Sequence, residues 1–432
     1  MTRANFSLLG PETIVRTELA NGMVVLVREN PSAPVAMLEG LIPVGSVHEP
    51  EDRAGLAGYV ASMLTRGSEA YDFHTFNETV ESLGASITVG GDSHVTHFSS
   101  ESLSEDFPRM VAILADVLRR PTFPPEHVEK VRHLLQVRLQ EREQNTRAVA
   151  FRRFHELLFQ GHPYGRPVSG YPETVQAILR DDLVAFHRTR YTPQGTVLAV
   201  SGDVRAAQVV ALVERHFGDW EGPPPAPDPP APEPVAAIRR DRVVLPGKVQ
   251  ADIVLGCLAI PQNHPDYFPA QVANNILGQF GLMGRLGEVV RERQGLAYYS
   301  YSALDADKVG GAWLAAAGVN PVNVGRAIES ILAEFRRLAQ EPVSLEELAD
   351  SKANLTGSLP LRLETNEGVA ALLANMELYG LGLDYVVRYP ERIQAVTAED
   401  VQRVAATYLR SDAYALAVAG PGEGDGSQDG PL

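Results

Sequence analysis

The sequence predicts an α+β protein of two homologous domains, each a mostly antiparallel sheet covered by helices, joined by a proline-rich linker. Three observations carry this reading. The chain has 432 residues, too many for a single hydrophobic core. The segment 222–234, GPPPAPDPPAPEP, holds eight prolines in thirteen residues and divides the chain into halves of similar length. The two halves then repeat one order of strand-like and helix-like segments, with a period of about 200 residues, which marks a domain duplication and not a solenoid.

The proline segment can neither run as a helix nor pair as a central strand, so it reads as an extended, semi-rigid spacer that permits hinge motion. A docking site for a proline-reading domain is the alternative. The boundaries are 1–221 for the first domain, 222–237 for the linker and 238–421 for the second domain. The last residues, 422–432, have little to bury and read as a disordered tail.

Each half opens on apolar strands: MVVLVRE (23–29) and VAMLEGLIPVGS (35–46), then RVVLP (242–246) and ADIVLGCLAIP (251–261). A helical region follows, and then alternating strands, ASITVGGDSHVTHFSSES in the first half and LAYYSYSALDADKVGGAWLAAAG in the second. Long amphipathic helices come next, FPRMVAILADVLRRP and VGRAIESILAEFRRLAQEP. A second helix opens in both halves on proline and an acidic first turn, in PTFPPEHVEKVRHLLQVRLQ and EPVSLEELADSKANLTGSL. Both halves close on a helix, a tyrosine, an apolar strand and glycine, in 180–204 and 398–421.

Composition excludes several functions. The formal net charge is −16, which makes the chain a poor candidate for nucleic acid, whose phosphates need a basic stripe. No segment approaches the roughly 18 unbroken apolar residues of a membrane span, and no secretory signal is evident, so a soluble cytoplasmic protein is expected. The single cysteine, Cys257, lies in the apolar run IVLGCLAI and reads as a core residue.

The chemistry concentrates in four blocks. GLAGYVASMLTRG (55–67), LLFQGHPYGRPVSGYPETVQAI (157–178), RYTPQGTVLAVSGDV (190–204) and ILGQFGLMGRLGEVVRERQGLAYYSYS (276–302) follow one another along nearly the whole chain. In this order they resemble the blocks of the pitrilysin/insulinase-type (inverzincin) metallopeptidases, which carry H-x-x-E-H in the frame of 55–67. The resemblance implies two imidazoles on one helix face that share a tetrahedral zinc ion, with the carboxylate beside them taking a proton from metal-bound water.

Here the two histidine positions hold Gly58 and Ser62, and the base position holds Ala61. The third ligand of the family, a glutamate about 76 residues further on, falls on Arg138, and a guanidinium cannot ligate zinc. All four positions have lost their chemistry. Read simply as a helix, 55–67 packs Leu56, Tyr59, Val60, Met63 and Leu64 into a core, with Gly58 allowing close approach at a cost of about 1 kcal/mol.

The second half retains an arginine and, seven residues later, a tyrosine: Arg291 and Tyr298. The resemblance implies that this pair reaches the zinc site of another half or subunit. There the tyrosine hydroxyl donates to the carbonyl oxygen of the cleaved bond, and the arginine orients it. The residues also read as a solvated helix face (Arg291 with Glu288, Glu292 and Arg293) and a strand of aromatics (Tyr298 with Tyr299 and Tyr301). Gly278, Gly281, Gly284 and Gly287 lack the G-K-[ST] of a phosphate loop. The resemblance makes the first three a substrate-handling loop, and tight packing explains them equally well.

The histidines supply no replacement site. His94 and His97 are three apart on a strand, His127 and His133 are six apart on a helix, and the HELLF of 155–159 lacks a second histidine. The expectation is a non-catalytic, substrate-binding subunit of a heterodimeric zinc peptidase, similar to the mitochondrial processing peptidase and its bacterial relatives. It holds no cofactor itself. Its partner is an H-x-x-E-H-bearing chain that carries the zinc, and its substrate is unfolded peptide. A structural scaffold subunit and an atypical peptidase acting alone are the alternatives.

Overall fold

The computed structural model describes residues 9–422. The tail assigned to 422–432 therefore lies, but for its first residue, outside the described residues. The chain forms two compact units, and each draws on both halves of the sequence.

The first unit comprises residues up to Leu139, Pro167–Asp228 and Pro360–Arg388. Its sheet contains β1 (Val15–Glu18), β2 (Val24–Glu29), β3 (Val35–Ile42), β4 (Ser86–Gly91), β5 (Thr96–Leu103) and β6 (Val197–Gly202), in the order β1-β2-β6-β3-β5-β4. Only β2 and β6 pair in parallel.

The second unit comprises Gln140–Arg166, Pro229–Leu359 and the described residues from Tyr389 on. Its strands are β7 (Arg239–Val244), β8 (Ala251–Ala259), β9 (Ala297–Ala306), β10 (Gly311–Val319) and β11 (Ala415–Gly420), in the order β7-β11-β8-β10-β9. Again one pair, β7 and β11, is parallel. Leaving out β1, the two orders correspond strand for strand, so the duplication is visible in the topology.

Alternation decides which strands see water. In β3 every second residue is fully buried, with Ala36, Leu38 and Ile42 pointing into the core. In contrast, β6 and β11 are buried along their whole length, so their sequences, VLAVSG and ALAVAG, are apolar without alternation. Their second face is covered by a helix from the other half of the sequence. Helix Thr146–Leu158 sits in the second unit and packs Val149, Ala150, Phe154 and Leu158 against residues of β8, β10 and β11. Helix Asn366–Leu378 sits in the first unit, against β6, β3 and β2, and buries Val369, Ala370 and Leu373. The compact units thus cross the contiguous boundaries 1–221 and 238–421, because amphipathic helices bury their apolar faces wherever a sheet face is open.

The proline segment forms neither helix nor strand, as its composition requires. It is tied along its course. Asp228 Oδ1 lies 2.8 Å from Nδ1 of the buried His94, and the carbonyl of Pro230 lies 2.9 Å from His162 Nε2. Among the described residues, no helix is long and apolar enough to cross a membrane.

Candidate functional site

Residues 56–63 form a short helix in the first unit. Gly55 enters it with φ of 97°, a conformation that suits glycine. No side chain caps the helix from within. Instead the buried carboxylate of Glu49 accepts hydrogen bonds from the Gly55 and Ala57 amides, both at 2.8 Å. A carboxylate at a helix N-terminus satisfies otherwise orphaned donors and faces the positive end of the dipole. Reading the sequence missed Glu49, since its position six residues before Gly55 matches no capping pattern.

Leu56, Tyr59, Val60, Met63 and Leu64 are all buried, as the packing reading requires. Tyr59 donates its hydroxyl to the carbonyl of Val128 on the long helix Pro125–Glu143. The Arg132 guanidinium lies 5.8 Å from the Tyr59 ring centroid. The helix therefore runs against the segment that carries Arg138.

Gly58, Ala61 and Ser62 lie on this helix, whereas Arg138 lies on the helix Pro125–Glu143. Gly58 is half-exposed and meets the end of β4: a Cβ added to Gly91 would stand 2.9 Å from Gly58 Cα. Ala61 is buried. Ser62 Oγ donates to the Gly58 carbonyl at 2.9 Å, so its hydroxyl is used within the helix. Arg138 is exposed.

A hydrogen, a methyl, an engaged hydroxyl and a guanidinium provide no donor set for zinc, and the metal does not fit this face. Among the described residues no group of three or more His, Cys, Asp or Glu could hold a metal ion. A neighbour missed in the sequence is Arg66, one turn beyond Ser62. Burial, and then the charge of Arg138, pull its pKa below the ordinary arginine value.

The second unit places the glycines, Arg291 and Tyr298 on one stretch. Gly278 lies flat against β9, where an added Cβ would come 2.5 Å from the Ser302 amide nitrogen. Gly284 would similarly meet Gly278, and Gly287 would meet the Gly281 carbonyl. Close packing therefore accounts for three of these glycines. Gly281 instead has φ of 66° and open space around it. Beside it Leu282 and Met283 stand exposed, on the wall of a cleft of about 380 Å³ that Phe280, Arg285, Glu347 and Asp350 help to line. Arg285 is buried there and pairs with Glu347 at 2.7 and 3.1 Å, which leaves its Nη1 without a partner.

Arg291 lies in a π-helical turn, Gly287–Arg293, exposed, with its Nε 3.7 Å from Glu292. Arg293 pairs with Glu288. This much matches a solvated charged face. The three tyrosines, however, divide. Tyr299 donates to the buried Asp252, and the Tyr301 hydroxyl accepts from Arg147 Nη2 at 2.7 Å. Burial, and then the hydrogen bond to Asp252, push the Tyr299 pKa far above its ordinary value. Tyr298, at the start of edge strand β9, is 63% exposed, and its hydroxyl has no hydrogen-bond partner among the described residues. It alone of the three offers a free phenol.

Two units of one topology define a duplicated α+β scaffold, in which Gly58, Ala61, Ser62 and Arg138 offer no metal donor set and Arg291 and Tyr298 stand exposed. Residues 24–171 match Insulinase (Peptidase family M16), and residues 177–355 match the Peptidase M16 inactive domain. The chain belongs to the M16 peptidase family.

It is 29% identical to an uncharacterized zinc protease of Mycobacterium bovis, over 94% of this chain and 93% of the relative. It is 26% identical to the mitochondrial-processing peptidase subunit beta of Lentinula edodes, over 95% and 91%. In fold it resembles a peptidase M16 inactive domain from Pseudomonas fluorescens, with a TM-score of 0.90 and 24% identity over 96% of this chain and 100% of that one. A protease from Helicobacter pylori superposes with a TM-score of 0.88 at 20% identity, over 94% and 99%.

Proposed function

We propose that this chain is the non-catalytic, substrate-binding subunit of a heterodimeric zinc peptidase that cleaves unfolded peptides in the cytoplasm. Its partner is an M16 chain that retains H-x-x-E-H and holds the zinc. The carrying observation is the asymmetry between units. Gly58, Ala61, Ser62 and Arg138 cannot hold the metal, while Arg291 and Tyr298 stand exposed with a free hydroxyl.

In this reading Tyr298 approaches the scissile carbonyl from the side opposite the partner's metal. Its O–H donates to the oxygen on which negative charge develops, an interaction that strengthens as the carbonyl carbon becomes tetrahedral. Arg291 holds the substrate backbone and the phenol in register. Gly278, Gly281 and Gly284 let the peptide run close to the backbone of their loop. The relative named as a mitochondrial-processing peptidase subunit, itself by name part of a larger enzyme, supports a division of labour between chains.

The test is peptide cleavage with added zinc by this chain, by the partner, and by the mixture, together with metal analysis of the purified chain. Cleavage is expected only in the mixture, with no zinc retained by this chain. Full activity from the partner alone would make this chain a scaffold. Chelator-sensitive activity from this chain alone would make it a peptidase in its own right.

A further inference from the structure

The two units differ at one corner of their sheets. In the first, Val25 of β2 pairs with Leu198 of β6 and is fully buried. Helix Ala206–Phe217, which follows β6, packs against β2 there. The matching pair in the second unit is Arg240 of β7 with Leu416 of β11, and no helix follows β11 among the described residues. A cavity of about 440 Å³ lies at this corner, lined from β7, from the start of β11 and from helix Val324–Gln340. Its volume is that of a small-molecule site.

The lining is sorted by chemistry. Ile238, Ile328 and Leu416 supply apolar surface, while Arg240 comes from β7 and Glu329 from the helix. Neither charge has an ion-pair partner among the described residues, and they do not pair with each other. Tyr414 is the third polar group. It stands two residues before Leu416 and so shares its face, and its carbonyl accepts from the Arg239 amide at 2.9 Å. It is 6% exposed, yet its hydroxyl has no hydrogen-bond partner among the described residues. A buried tyrosine hydroxyl normally has one. Burial raises its pKa, so the phenol keeps a proton to donate. A guanidinium and a phenol donate to a carboxylate, and a carboxylate accepts from an ammonium.

We propose that this cavity binds the zwitterion of an apolar amino acid or dipeptide. The ligand's carboxylate accepts from Arg240 and Tyr414, its ammonium donates to Glu329, and its apolar body lies against Ile238, Ile328 and Leu416. A free amino acid and a dipeptide share this chemistry and differ in the span between their charged ends. The site uses neither Arg291 nor Tyr298, so it does not depend on the shared activity proposed above.

The experiment is equilibrium dialysis of the full chain against radiolabelled L-leucine and, separately, L-leucyl-L-leucine. Saturable binding of at least one is expected, and which one binds identifies the source. The same molecule with its amine acetylated, or with its carboxylate amidated, is expected to compete at least about tenfold more weakly. Arg240→Gln and Glu329→Gln alter exposed side chains and are compatible with folding; each is expected to weaken binding about tenfold. Tyr414→Phe keeps the buried ring and is expected to weaken it about fivefold. Three outcomes would each overturn the site: no saturable binding of either zwitterion, equal competition by either blocked form, or unchanged affinity in any of the three variants.

Discussion

β4 and β9 close equivalent edges of the two sheets, and each lies beneath a helical segment that follows the equivalent strand. In the first unit Gly91 of β4 approaches Gly58 of helix Leu56–Met63, backbone to backbone. In the second, Gly278 lies against Ser302 of β9. The packing device is the same. What differs is the chemistry displayed beside it: the first edge meets a helix face without a ligand or a base, while the second begins with a free phenol at Tyr298. The comparison shows that a scaffold holds its shape through its glycines and core residues independently of the groups that react.

The largest expected effect tests the second edge. In the mixture of this chain with its H-x-x-E-H partner, Tyr298→Phe removes one hydroxyl from an exposed side chain. It is expected to lower kcat about 10²–10³-fold, the loss typical of one oxyanion donor, with KM little changed. Steady-state kinetics on one peptide decide it. Unchanged kcat would mean that the two edges do not differ in function. Thermal unfolding is expected to be unaffected, because the hydroxyl has no partner to lose.

The next effect bears on what the edges share. Gly278→Ala places a methyl 2.5 Å from the Ser302 nitrogen, where only backbone movement can relieve it. A loss of about 2–3 kcal/mol in unfolding free energy is expected. Gly91→Ala places its methyl 2.9 Å from Gly58 Cα, a milder conflict, and about 1–2 kcal/mol is expected. Chemical denaturation of both variants measures the pair. A neutral Gly91→Ala would mean that the first edge is looser than the second.

Much of this architecture was legible in the sequence, because duplicated strand and helix patterns are local signals. The apolar runs 23–29 and 251–261 contain β2 and β8, and 398–421 holds the predicted helix and final strand in order. The interleaving of the units was not legible. Nothing within Thr146–Leu158 or Asn366–Leu378 says which sheet each helix will cover, since an apolar face specifies a need and not a partner. At the site, the lack of metal-donor side chains at Gly58, Ala61, Ser62 and Arg138 is a matter of residue identity, which the sequence states outright. Arg66 and Glu49 could not be read in this way. Their significance arises from which groups the fold sets beside them, the Phe73 ring for one and the Gly55 and Ala57 amides for the other. The separation of Tyr298 from Tyr299 and Tyr301 is of the same kind: three aromatics within a short strand look alike until Asp252 and Arg147 claim two of them.

The smallest effect near neutrality distinguishes the units by pH. In the second unit His155 lies between Phe154 and Phe159 with its Nε2 out of contact with water, and burial pushes its pKa down to about 4. The folded state therefore binds this proton less readily than the unfolded chain, whose histidine titrates at about 6.5. Its contribution to stability is complete above about pH 6.5 and is lost as pH falls toward 4. In the first unit Glu39 has the opposite sign. Burial, and then the nearby charge of Glu367, raise its pKa to about 7. Its contribution is complete below the unfolded carboxylate value of about 4.3 and is lost as pH rises through 7.

Two substitutions separate these opposing slopes. Relative to the wild type, the Tm of His155→Phe is expected to be more favourable at pH 5 than at pH 7.5. The Tm of Glu39→Gln is expected to be more favourable at pH 7.5 than at pH 5. Parallel pH profiles for wild type and either variant would show that the group titrates alike in the folded and unfolded states, and that the burial assigned to it does not hold. Divergence of both, in opposite directions, would show that one chain carries an acid-sensitive group in one unit and a base-sensitive group in the other.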